Sequence, residues 1–194
     1  MKIRIYTMLL LGLLFAGCVN LDPVEDDLQM YALGSVEDRP SAKFPENPNE
    51  VVYIGRPDLP AYLSNALMLI RSSDGEVKQL PGVRWAEPLE EGVARALSEY
   101  IARADGPFVA GYYPWPRINR ETKQIRVRFT ELSFKDDGSI HVVAFWWIAK
   151  GQGMIDGGLF EPRDIAWTPG QPATIVTAFN QILEQLGQSI TAKR

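Results

Sequence analysis

The 194-residue sequence has one cysteine and one histidine. A single cysteine excludes an intramolecular disulfide, and an odd thiol in an exported chain would be a liability unless chemically used. With His141 alone, a zinc site lacks its usual set of imidazole and thiolate ligands. A serine–histidine pair could draw only on His141, and no Gly-x-Ser-x-Gly elbow exists to present the serine. Positive charge is not in excess either: the formal net charge is −4. An acidic chain does not suit a polyanion such as nucleic acid, nor does it offer a polybasic second signal for anionic lipid. Long apolar runs are missing too. The longest, Ile5 to Phe15, is about 11 residues, roughly half of what a helix needs to cross a bilayer. Internal repeats and low-complexity segments are absent as well.

What is present begins at the N-terminus. Lys2 and Arg4 form a short basic region, the apolar run follows, and Ala16 and Gly17 are small. That order is the one of a secretory signal. Leu14-Phe15-Ala16-Gly17-Cys18 resembles the lipobox of bacterial lipoproteins, with Phe15 where leucine is usual. The resemblance implies cleavage before Cys18 and a diacylglyceryl group plus an N-acyl chain on that cysteine, with no other cofactor. Several acyl chains hold a protein firmly, since each buried methylene contributes about 0.8 kcal/mol. Removing residues 1–17 takes Lys2 and Arg4 with it, so the formal charge falls from −4 to −6.

Residues 18–27 read as the lipidated end and tether, and residues 28–194 as one domain. The 46% hydrophobic content and five tryptophans, all beyond residue 17, support a real core. Pro23, Pro40, Pro45 and Pro48 keep residues 19–50 extended, except for a short strand at Leu28 to Leu33. Val51 to Ile54 is rich in β-branched and aromatic residues and reads as a strand. Leu67 to Arg71 and Glu76 to Leu80 flank Ser72-Ser73-Asp74-Gly75, a hairpin signal. After Pro88 the period becomes helical, with Leu89, Val93, Ala96, Leu97, Tyr100 and Ile101 on one face until Gly106-Pro107. Phe108 to Tyr113 is the next strand.

Ile125, Val127 and Phe129 then alternate, but Leu132 and Phe134 have the opposite parity, so a bulge is expected near Thr130-Glu131. Asp136-Asp137-Gly138 turns the chain into Ile140 to Ala149, a strand apolar on both faces. Such a strand calls for cover on both faces by helices, a subunit or a ligand. Gly151 to Gly158 reads as a glycine-rich connection. A last helix from about Pro172 to Ile190 carries the stripe Ile175, Phe179, Ile182, Leu183, Leu186 and Ile190. The fold class is α+β, a mainly antiparallel sheet built from hairpins with two amphipathic helices packed on it.

Chemistry is sparse. Gly151-Gln152-Gly153 lacks the third glycine and the helix of a dinucleotide loop. Glu90/Glu91 and Asp136/Asp137 are neighbours in sequence and read as a helix start and a turn. No catalytic or metal residue is assigned, and the chain reads as a non-enzyme.

One segment stands out, Arg84-Trp85-Ala86-Glu87-Pro88-Leu89, leading directly into the first helix. Upstream are Leu59-Pro60-Ala61-Tyr62-Leu63 and Tyr31-Ala32-Leu33. This order resembles the PqiC/YmbA family of ABC-transport auxiliary lipoproteins, well over residues 28–105 and beyond them only in the order of elements. Ser64-Asn65-Ala66 departs from the Asp/Asn-Arg-Pro common after the Tyr-Leu pair. The resemblance implies a periplasmic lipoprotein serving an MCE-type protein that moves lipid between membranes and supports envelope integrity. Val19, where inner-membrane retention would need aspartate, favours the outer membrane. Tyr62, Leu63, Arg84, Trp85, Glu87 and Pro88 are the candidate partner-binding residues. A purely structural reading stands beside that one: Trp85 in the core, Arg84 and Glu87 as a local ion pair, Pro88 as a helix starter. Phe145, Trp146 and Trp147 are candidate contacts for lipid or for a second copy of the chain. The hairpin Leu67 to Leu80 and the loop Tyr112 to Pro116 are further contact candidates. The competing function is a lipid-binding shuttle with its own apolar pocket.

Overall fold

A computed structural model describes residues 27–34, 51–104, 107–114 and 122–192. Cys18, the signal segment and Trp115-Pro116 lie outside the described residues. Eight strands and two helices are described in chain order. The strands are β1 (Gln29–Tyr31), β2 (Val51–Ile54), β3 (Leu67–Arg71), β4 (Val77–Trp85), β5 (Phe108–Tyr112), β6 (Lys123–Phe134), β7 (Ile140–Lys150) and β8 (Gly153–Phe160). The helices are α1 (Leu89–Arg103) and α2 (Pro172–Thr191). A single 3-10 turn, Ala61–Leu63, precedes β3.

The strands form two sheets where the sequence suggested one. The smaller has the order β1-β4-β3, and the larger has the order β5-β2-β6-β7-β8. β3–β4, β6–β7 and β7–β8 are antiparallel, as hairpins require. β1–β4, β2–β5 and β2–β6 are parallel, because their partners arrive from distant parts of the chain. The expected phase slip is found: the β6–β7 register shifts between Phe129 and Glu131, which returns Leu132 and Phe134 to the core.

Gly151 to Gly158 needs correction. Gly153 onward is β8, paired along β7 up to Phe160 with Ala144. Glycine weakens a strand in the absence of a packing reason, and here the reason is close approach. A Cβ on Gly157 would lie 2.8 Å from the Trp146 carbonyl oxygen and 3.1 Å from the Trp147 Cβ.

Both helices lie on the inner face of the larger sheet. Leu89, Val93, Ala96, Leu97 and Ile101 of α1 share one core with Ile175, Phe179, Ile182, Leu183 and Leu186 of α2. Ile125, Val127 and Phe129 of β6 and Val142, Ala144 and Trp146 of β7 complete it. Pro88 caps α1 and Pro172 begins α2, each where a missing N–H has no helical partner to lose. Glu90 and Glu91 in the first turn of α1 and Arg103 in its last turn complement the helix dipole. The helices touch closely at Gly187, where a Cβ would sit 3.2 Å from the Cβ of Tyr100. Neither described helix is long and apolar enough to cross a membrane.

Candidate docking surfaces

The Arg-Trp-Ala-Glu-Pro segment is the last part of β4 and the cap of α1. Strand alternation turns Val83 and Trp85 inward and leaves Arg84 and Ala86 exposed. Trp85 is only 5% exposed, and its ring meets Phe179 of α2 edge-on at 6.0 Å between centroids. Phe179 continues to Phe134 of β6 at 5.7 Å. The box thus reaches α2 and the larger sheet through one line of aromatic rings.

Its charged member works differently from the expected local pair. Glu87 does not bridge to Arg84; its carboxylate accepts from the Arg95 guanidinium, one turn and more along α1. Arg95 also donates to the Leu33 carbonyl at 2.8 Å and pairs with Glu99 at 3.3 Å. The hydrogen bond that Arg95 donates to Glu87 is the main reason its guanidinium holds its proton more tightly than usual. Asn180 of α2 accepts from Gly34 N at 2.8 Å and donates to Gly34 O at 3.3 Å. Gly34 can host this contact because its φ of +91° is open to glycine and its missing side chain clears Glu99 and Arg95. The chain after β1 is therefore clamped to both helices.

Tyr62 and Leu63 sit on the turn between β2 and β3. Leu63 is buried, and the Tyr62 hydroxyl donates to the Leu132 carbonyl of β6 at 2.6 Å. That bond ties the link between the two sheets, and burial pushes the phenol pKa up. Of the candidate partner-binding residues, Arg84 and Pro88 are exposed, Tyr62 and Glu87 half-buried, and Leu63 and Trp85 interior. Arg84 stands between Met30 of β1 and Leu67 of β3 on the outer face of the small sheet, with Met30 exposed beside it.

The aromatic group of β7 is split by the pleat. Trp146 is 1% exposed beneath the helices, whereas Phe145 is 45% exposed on the opposite face. On this outer face Phe145 is paired with Leu159, and Trp147, half-buried, with Gly157. Met154 and Leu159 are 72% and 55% exposed. Among the described residues the second face of β7 thus has no helix over it. Toward β6 the same face turns basic, with Arg128 opposite Phe145 and Arg126 opposite Trp147. His141 lies at the far end of the face, its Nδ1 3.8 Å from the Glu131 carboxylate.

Three depressions open on the surface among the described residues. One of these, about 860 Å³, runs between α2 and residues 161–165, lined by Glu161, Arg163, Asp164, Glu184 and Gln185. The Gln185 side-chain amide brackets the Arg163 backbone N–H and carbonyl, both at 3.1 Å, just before Asp164 at φ 57°. The other two lie on the outer face of the large sheet and share Arg126. Among the described residues no cluster of three or more His, Cys, Asp or Glu could hold a metal ion.

A family model described as "ABC-type transport auxiliary lipoprotein component" matches residues 31–191, from the end of β1 to the end of α2. The chain belongs to this family. It is an auxiliary lipoprotein component of ABC-type transport, held at a membrane by lipid, and the family is not a known enzyme family. Two solved structures share the fold. One is an uncharacterized protein, 16% identical, with a TM-score of 0.62, covering 75% of this chain and 92% of its own. The other is a Xanthomonas campestris protein of family DUF330, also 16% identical, with a TM-score of 0.58, covering 84% of this chain and 92% of its own. No curated protein matches.

Proposed function

We propose that this lipoprotein is the outer-membrane-anchored periplasmic adaptor of an MCE-type intermembrane lipid-transport system, of the PqiC/YmbA kind, acylated on Cys18 and supporting envelope integrity. Family membership carries the reading: an auxiliary lipoprotein component works beside a transporter and need not handle cargo. The finer assignment rests on the Tyr31-Ala32-Leu33, Pro60-Ala61-Tyr62-Leu63 and Arg84-to-Leu89 order, and on Val19 after the anchor cysteine. The build suits an adaptor, since a rigid aromatic and ionic framework presents Arg84 and Pro88 at the surface.

A shuttle would need a cavity that takes up lipid tails, several hundred Å³ and largely enclosed. The depressions described above are open, and Trp146 fills the interior beneath β7. Two measurements test the adaptor. Cys18→Ala should abolish fatty-acid labelling and release the protein from membranes. Mass spectrometry of the purified wild type should find no stoichiometric phospholipid, while an MCE-domain partner co-purifies. Phospholipid carried through purification at one or more per chain, with no associated partner, would replace the adaptor with the shuttle.

A further inference from the structure

We infer that the outer face of the large sheet holds a shallow, exchangeable site for the phosphate of an anionic phospholipid headgroup, centred on Arg126. Trp147 and Met154 lie under the glycerol end of the lipid's chains. The site is composite. One depression, about 330 Å³, is bounded by Gly55, Arg56, Tyr113, Gln124 and Arg126. The other, about 250 Å³, runs from Arg126 to Trp147, Ala149 and Met154 along the Gly151–Gly153 turn. Arg126 is the shared wall, so a half that carries two guanidinium groups adjoins a half that carries Trp147 and Met154. That is the layout an amphiphile needs and a free anion does not.

The arginines differ in what they already hold. Arg128 is committed to Asp58 at 2.7 Å. Among the described residues Arg126 pairs with no carboxylate, and its one bond is to the Gln124 side-chain oxygen at 3.3 Å. Arg56 is fixed in direction by Glu90 at 3.3 Å and by the Tyr113 ring, 5.5 Å from its centroid. A guanidinium has five donors, so one such contact leaves several for a phosphate. In a chain of net charge −4, this is a local reversal of sign.

The occupant follows from charge and from reach. Tryptophan and arginine together favour the headgroup level of a bilayer. The domain is also held near one. Between Cys18 and β1 the tether is ten residues, which extend to at most about 36 Å. The inference rests on the lipid anchor and not on the identity of the transport partner.

The test uses the full-length lipidated protein inserted into vesicles and reads tryptophan quenching by lipids brominated near the headgroup. Brominated phosphatidylglycerol should quench the wild type, and Trp147→Phe should lose most of that quenching. Arg56→Gln with Arg126→Gln should lose it too, since each arginine near an anionic surface is worth about fivefold in partitioning. Brominated phosphatidylcholine should quench little, and added salt should weaken the effect. Circular dichroism melting checks that each variant is folded, and Trp147→Phe retains a ring where the arginine variants retain Trp147. Equal quenching in wild type and Trp147→Phe overturns the site. So does equal quenching by phosphatidylcholine, which would make charge irrelevant. An equal response to inorganic phosphate alone makes it a free-anion site, and quenching seen only after an MCE-domain protein is added gives the face to that partner. Partner co-purification, scored on the same variants, should be unchanged, so failure of the adaptor reading is seen separately.

Discussion

Trp85 and Trp147 both lie toward the C-terminal end of a β-strand, yet they do opposite things. Trp85 is packed against Phe179 between the small sheet and α2, with ionic ties around it from Glu87 through Arg95 to Leu33. Trp147 lies on a face that no helix covers among the described residues, between a backbone glycine and an arginine. The difference is one of strand parity and of what each sheet has to pack against. A tryptophan near a candidate motif is therefore evidence of surface function only when its face is known. The Arg-Trp-Ala-Glu-Pro box is mainly framework with an exposed rim, and the β7–β8 face is where large apolar groups meet water.

The largest effect expected is at Trp85. Trp85→Ala should destabilise the domain by about 3–5 kcal/mol, the range for truncating a buried aromatic. That is a large share of the roughly 5–15 kcal/mol that holds a domain together. Urea denaturation reads it directly. A loss under about 1 kcal/mol would mean that the ring is dispensable to the core, and the contrast with Trp147 would fail.

Arg95 comes next. Arg95→Met keeps much of the aliphatic stem and removes the guanidinium that joins Glu87, Glu99 and the Leu33 carbonyl. The expected cost is about 2–3 kcal/mol, because charge-assisted bonds in a partly buried site are lost while Glu99 stays buried. The residues near Leu33 and Gly34 should also gain amide-exchange rate before the rest of the molecule does. Uniform exchange across the chain would show that the clamp is not local.

Gly157 sharpens the other side of the comparison. Gly157→Ala places a methyl group 2.8 Å from the Trp146 carbonyl, so β8 must shift. Relief of glycine's excess entropy returns part of the penalty, leaving a net loss of about 1–2 kcal/mol. Thermal melting checks the sign. An unchanged or raised midpoint would show that β8 is free to slide on β7.

These residues also show how far a sequence can be read. The helices were legible because Leu89 to Ile101 and Ile175 to Ile190 repeat at helical spacing, and the bulge was legible because Phe129 and Leu132 are out of phase. β8 was not, since Gly157 and Gly158 carry no apolar alternation and their reason for being there is the neighbouring strand. The division into two sheets was hidden because β1, β2 and β5 find parallel partners far along the chain, which no local pattern encodes. In the candidate site, Trp85 and Glu87 were identifiable as a unit, but the partner of Glu87 was not. Arg95 is eight residues away on the helix, and only the geometry of the cap brings it round. Arg126 was visible only as the polar half of an alternating strand, with nothing to mark it until Trp147 appeared opposite.

The smallest stability effect should come from Arg84, and it is the most informative about docking. Had Arg84 paired with Glu87, its removal would have stranded a half-buried carboxylate. Glu87 is instead neutralised by Arg95, so Arg84→Ala removes an exposed side chain and leaves no charge behind. The expected change in stability is within about 0.5 kcal/mol, as for surface substitutions generally. If the rim of the box docks on a partner, the same substitution should weaken co-purification of an MCE-domain protein by tenfold or more, the loss that about 1.4 kcal/mol of interface energy represents. A normal melting temperature with lost association assigns Arg84 to docking. A normal melting temperature with full association removes it from the interface and leaves Pro88 and Met30 as the exposed neighbours to test.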